Sequence, residues 1–331
     1  MKVRVSSPFL TELVRGALLL GKFDLDMEWK GWEIEVDREV VRNALERAAS
    51  LAGEDKLMRI GNDKKPLAAM LSNCLGVNKE VEGLKEFLEL AVQNLDKLEG
   101  CGEAEASKLA ISKAEYYENT KTPMMLGSNE PVGDALTIAL GYAGTVWNLG
   151  NVRYPGGDIA SFFLVPVTLN ADAYNFLMKR LDRGKEKGKK RLLPSYVTYE
   201  WALTLWMALN FDVKGVFRVL FVERGNKVYV KPSMTVDLSA EREALASVFG
   251  GDLERVDDPL NYVLNNVLSD QPDALAVRFV SALYQVAHHA MPPVDLKAFG
   301  LREYASALST ESSQVDFVVR QVGRVAQLVK V

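Results

Sequence analysis

The sequence predicts an α+β fold that is helix-dominated, with a central antiparallel β-rich segment between helical N- and C-terminal regions. Three observations predict it. Apolar residues recur at helical spacing through residues 1–140, give way near residue 145 to apolar runs separated by Gly-rich turns, and return to helical spacing over the last 90 residues. Helices and strands grouped in blocks, rather than alternating, give an α+β arrangement and not a parallel α/β sheet. There is no internal repeat. The chain therefore reads as a mainly helical N-terminal region 1–142, a β-rich centre 143–240 carrying a basic loop 179–191, and a helical C-terminal region 241–331.

Each element has a local cause. Ser7 followed by Pro8 is an N-cap with proline at the first helical position, and opens a helix over 8–20. Trp32, Ile34 and Val36 alternate with Glu33, Glu35 and Asp37, which predicts a short half-buried strand, with Asp37 capping a helix to about Ala52. Val81, Leu84, Leu88, Ala91, Leu95 and Leu98 mark one amphipathic helix, and a further helix is expected over 104–117. Residues 118–131 read as a loop, and 132–142 as a helix. Residues 145–154 and 158–168 flank Pro155-Gly156-Gly157 as a hairpin; 216–223 and 227–231 flank Arg224-Gly225-Asn226 as a second. The clearest C-terminal helix is 311–329, with one valine-rich stripe.

Composition excludes several classes. The 331 residues, 48% hydrophobic and 25% charged, are ordinary for one large globular domain or two modest ones. No apolar stretch adjoins the N-terminus as a signal peptide would. The most apolar runs, 160–167 and 201–211, fall short of the ~18 residues that cross a bilayer. Two cysteines, Cys74 and Cys101, cannot make a disulfide framework or a Cys-rich zinc site. They read as small buried or semi-buried side chains in a reducing, cytoplasmic compartment. No cofactor, no metal and no membrane partner is expected.

The net charge of −4 is unevenly placed. Residues 179–191 hold eight basic residues (Lys179, Arg180, Arg183, Lys185, Lys187, Lys189, Lys190 and Arg191) against two acids, a charge of +6. Taking +6 from −4 leaves −10 on the other 318 residues. Gly184 and Gly188 disfavour a continuous helix, so a mobile loop between two helices is expected. Gly-spaced lysines suit a phosphate backbone, which needs charge and reach more than fixed geometry. The alternative is a solvated loop that serves solubility alone.

Other patterns imitate chemistry. Gly16 to Lys22 fits G-x-x-x-x-G-K, but Phe23 stands where a phosphate-binding loop has a hydroxyl, and the four intervening residues continue a helix. Asp273, Asp295 and Lys297 imitate a metal-dependent nuclease of the PD-(D/E)xK kind. Their positions before helices suit capping and first-turn acids. His288 and His289 are adjacent, hence about 100° apart on a helix, and read as a cap or surface pair. Asp24, Asp26, Glu28, Glu33, Glu35 and Asp37 alternate as a solvent face. No catalytic constellation emerges. Asn119, Lys121 and Asn129 cluster in the 118–131 loop as minor-groove readers do, and Arg153 sits in a second polar cluster with Asn148, Asn151 and Tyr154; for both, an ordinary polar connection is the alternative.

Three passages carry a family likeness: Lys121-Thr-Pro-Met-Met-Leu-Gly127, Gly150-Asn-Val-Arg-Tyr-Pro-Gly-Gly157 running into Phe162-Phe-Leu-Val-Pro166, and Pro194-Ser-Tyr-Val-Thr-Tyr-Glu-Trp201. With the order of helical and β-rich regions, they make the chain resemble the large subunit of the archaeal type I-A CRISPR Cascade complex. The resemblance implies a non-catalytic subunit with crRNA and target DNA as partners, together with backbone and small subunits and a helicase-nuclease. It also implies a role in reading the protospacer-adjacent motif, placed here on Asn119, Lys121 and Asn129.

Overall fold

In a computed structural model, the structure describes residues 1–5, 7–52, 64–78, 81, 83–102, 111, 134–154, 159–185, 193–224, 228–309 and 317–331. The architecture is α+β: helices before and after a four-stranded sheet of order β3-β4-β5-β6. Its chain forms two compact units, Met1–Asn151 with Ala160–Lys190 and Gly215–Thr235, and Val152–Ile159 with Arg191–Lys214 and Val236–Val331.

In the first unit, β1 (Lys2–Arg4) pairs antiparallel with β2 (Glu33–Glu35). Period-two alternation turns Val3 and Ile34 into the core and leaves the charges outside, where Arg4 meets Glu33 at 2.7 Å. Helix α1 (Pro8–Gly21) starts as its sequence predicts: the Ser7 hydroxyl accepts from the Leu10 amide at 3.2 Å. The glycines that imitate a phosphate loop serve close packing instead. A Cβ on Gly16 would press on Val165 and Trp147, and one on Gly21 would collide with the Val40 carbonyl. Trp147 donates its indole N–H to the Gly16 carbonyl at 3.2 Å.

Helix α2 (Arg38–Leu51) follows Asp37, and α3 spans Lys64–Leu75. The single helix expected over 81–98 is instead α4 (Leu84–Gln93) and α5 (Leu95–Leu98). Asn94 breaks it. Its side-chain amide donates to the Leu90 carbonyl at 3.1 Å, and its backbone leaves helical values at φ −120°. Helix α6 (Ala135–Gly144) is buried along its whole length. The helix expected over 104–117 and the 118–131 loop lie outside the described residues, Ile111 apart.

The strands of both predicted hairpins are present in the central sheet: β3 (Asn148–Arg153), β4 (Ile159–Pro166), β5 (Val216–Arg224) and β6 (Val228–Asp237). Thr145–Trp147, expected as strand, is a 3-10 turn, and residues 155–158 and 225–227 of the two expected turns lie outside the described residues. β4 and β5 run antiparallel from Ala160↔Glu223 to Pro166↔Phe217. Successive phenylalanines serve opposite faces: Phe163 meets Phe9 of α1 edge-on at 6.1 Å, and Phe162 meets Phe221 at 5.4 Å. Between β4 and β5 lies helix α7 (Ala171–Lys185).

The cysteines require a correction. Both are semi-buried as expected, but Cys74 and Cys101 are joined in a disulfide across 27 residues, with Cα atoms 5.7 Å apart. The cysteine count therefore gives no support to a reducing compartment. Among the described residues, no helix is long and apolar enough to cross a membrane.

The second unit is helical: α8 (Glu200–Asn210), α9 (Leu238–Val248), α10 (Asp257–Val267), α11 (Ala274–Ala287), α12 (Pro293–Ser309) and α13 (Phe317–Leu328). The valine stripe of the last helix is buried through Val318, Val322, Val325 and Ala326, continuing to Val329.

Candidate nucleic-acid interface

The basic run begins on α7, and this changes its expected form. Residues 179–185 are helical, not a loop. The reason is local. Asn170 accepts from the Ala173 amide at 2.8 Å to open the helix, and Ala173 is fully buried. Tyr174 lies 5.4 Å from Phe23, whose ring in turn carries the Arg47 guanidinium at 5.1 Å. With its first turn held, the helix tolerates Gly184 in its last turn, where a glycine costs about 1 kcal/mol relative to alanine. Lys179 is exposed on this helix.

Arg180, Arg183 and Lys185 have helical backbones, and their side chains are outside the described residues. So are Lys187, Lys189, Lys190 and Arg191, and Asn119, Lys121 and Asn129. Arg153 belongs to the second unit and is exposed. Its backbone is fixed on both sides: its amide donates to the Ser195 carbonyl at 2.9 Å, and its carbonyl accepts from the Val197 amide at 2.8 Å. The guanidinium thus projects from a rigid strand end.

Asp273, Lys297 and His288 are engaged by neighbouring groups. Asp273 caps α11, accepting from the Leu275 and Ala276 amides at 2.8 and 3.2 Å. Lys297 donates to the Val329 carbonyl at 3.0 Å, beyond the end of the last helix, and Asp295 is an exposed first-turn acid of α12. His288 ends α11 and meets Glu241 at 3.0 Å. Tyr284, 4.3 Å from His288 ring to ring, has its hydroxyl pKa raised by burial and then by the Glu241 carboxylate. Among the described residues, no three His, Cys, Asp or Glu side chains are grouped to hold a metal ion.

An open cleft of about 420 Å³ in the first unit is lined by Lys2, Asp26, Glu28, Lys30, Glu33, Ile34 and Glu35. Four carboxylates against two ammonium groups make it unsuited to phosphate, and the alternating acids form a solvent face as expected.

Asp134 is the exception among the carboxylates. It is buried at the N-cap of α6, where it accepts from the Thr137 amide at 2.7 Å. Burial raises its pKa above the ordinary value, against the opposing pull of hydrogen bonds from Thr137 and Gly100 and of the Arg4 charge.

One cluster has no signature in local sequence. Phe299 on α12 stacks at 6.3 Å on the buried Phe279, while the Arg278 and Arg302 guanidiniums lie 5.9 and 6.0 Å from its ring centre. Residues 278 and 302 are brought together only by the packing of α11 on α12, so neither a charge run nor a motif marks them. No protein-family model matches the sequence, and no curated protein matches it.

Proposed function

We propose that the chain is a non-catalytic, nucleic-acid-binding subunit of an RNA-guided surveillance complex. In this role it contributes to motif recognition, to holding crRNA and target DNA, and to recruiting the helicase-nuclease. The observation that carries this reading is the charge distribution: +6 within residues 179–191 on a chain of net −4, starting at the exposed Lys179 of an anchored helix. A concentrated cationic segment releases counterions from a phosphate backbone, while an acidic remainder opposes indiscriminate coating of DNA. Sequence readout over a long target is left to base pairing, so the protein needs backbone contact and a short motif reader. Asn119, Lys121 and Asn129 are assigned to that reader.

The rival reading, a nuclease built on Asp273, Asp295 and Lys297, is weakened because Asp273 and Lys297 are engaged at helix ends. Co-expression with the backbone and small subunits and a crRNA tests the proposal. The expected result is that the chain co-purifies with the RNA-bearing assembly and increases its affinity for target DNA. Magnesium-dependent cleavage by the purified chain, lost in Asp295→Ala with folding unchanged, would overturn it.

A further inference from the structure

We infer that the Phe299 ring and the Arg278 and Arg302 guanidiniums that lie over it form a base-stacking contact for single-stranded nucleic acid on the C-terminal helices, with the guanidinium planes meeting the bases, distinct in chemistry from the basic run. The inference rests on the reading that the chain binds nucleic acid. The ring is half-buried and has a rigid floor, because Phe279 beneath it is fully buried. Both arginines are exposed. Arg278 is the one charged residue of α11 and makes no ion pair with a described residue. The pairing of Arg302 is with its sequence neighbour Glu303 at 3.9 Å, on a side chain 74% exposed, and so holds it weakly.

Covering a phenylalanine from water needs only aliphatic stems. Two guanidiniums add planar, weakly hydrated faces that stack on further rings and accept a phosphate in the same reach. Ala298, Ala305 and Ser306 are exposed at positions 4 before, 3 after and 4 after Arg302, hence on its side of α12, and give low relief beside the ring. Asp295 and Glu303 lie one turn to either side of Phe299 and dilute the positive field. The contact therefore depends on stacking more than on net charge. Flat rings joined to anions, with faces free, are what an unpaired strand presents; in a duplex those faces are already stacked.

The test uses the full chain and a short fluorescein-labelled thymidine oligonucleotide, titrated at several salt concentrations. Phe299→Leu is expected to weaken binding on the order of ten-fold with the salt slope unchanged, and Phe299→Tyr to restore it. Arg278→Lys with Arg302→Lys keeps the charges and the core ring, so it reads stacking where Phe299→Leu lowers stability; a several-fold loss is again expected. If these variants bind as the native chain does while neutralising Lys185, Lys187, Lys189 and Lys190 flattens the salt slope, the inference fails and the nucleic-acid reading stands. The same holds if they lose affinity for an acidic peptide and keep it for the oligonucleotide. A native chain that binds no oligonucleotide overturns both.

Discussion

Helices α6 and α7 belong to the same compact unit and are opposite in kind. All ten residues of Ala135–Gly144 are buried, and none is charged. Ala171–Lys185 buries Ala173 and packs Tyr174 against Phe23 at a tilt, then carries Lys179, Arg180, Arg183 and Lys185 toward its end. A helix enclosed on every side contributes stability and has no surface to offer a ligand. A helix anchored at its start and reaching an exposed Lys179 has a side chain to offer a ligand. Substitutions in the two should therefore separate stability from binding.

The largest expected effect is at the approach to α6. The Cys101 carbonyl accepts from the Ala135 amide at 2.6 Å, so the bond to Cys74 tethers the start of that helix. Closing 27 residues restricts the unfolded chain, and Cys74→Ser with Cys101→Ser should lose about 3.5 kcal/mol in urea unfolding without reductant. Native protein treated with reductant should fall to the same midpoint. Close behind is Gly144→Ala: its Cβ would collide with the Leu13 carbonyl of α1, a backbone atom that cannot swing away. A loss of about 3 kcal/mol is expected by the same measurement, with oligonucleotide affinity per folded molecule unchanged.

Asp134→Ala removes the cap of α6 and should cost about 1 kcal/mol. Asp134→Asn keeps an acceptor for the Thr137 amide and separates the cap from the charge. Because burial raises the folded pKa, protonation favours the fold. That contribution is fully present below the ordinary carboxylate value of 3.8 and is lost as pH rises through the raised folded value. The asparagine variant should accordingly gain on the native chain as pH increases toward neutrality. A constant difference across that range would place the cost elsewhere. The smallest stability effect belongs to α7. Lys179→Gln should change unfolding by less than about 0.5 kcal/mol and lower the salt slope of nucleic-acid binding by about one.

Elements whose cause is local were legible in the sequence: the Ser7–Pro8 start of α1, the strand around Ile34, the four strands of the central sheet and the valine stripe of α13. What escaped depended on tertiary partners or on competition within one turn. Asn94 breaks a helix whose apolar spacing runs straight through it, because its amide competes for the Leu90 carbonyl. Gly184 and Gly188 argued against a helix at residue 179, yet packing of Ala173 and Tyr174 carries it to Lys185. A separation of 27 residues says nothing about a Cα distance of 5.7 Å, so the disulfide was invisible. The Arg278, Phe299 and Arg302 cluster exists only once α11 packs on α12. For the candidate interface, charge density was legible and geometry was not.

In the proposed function the basic run contacts phosphate. The most direct test of that contact is the salt dependence of nucleic-acid affinity, measured for the native chain and for the variant with Lys185, Lys187, Lys189 and Lys190 all changed to Gln. The slope of log affinity against log salt should fall by about four at unchanged thermal stability. An unchanged slope would contradict it.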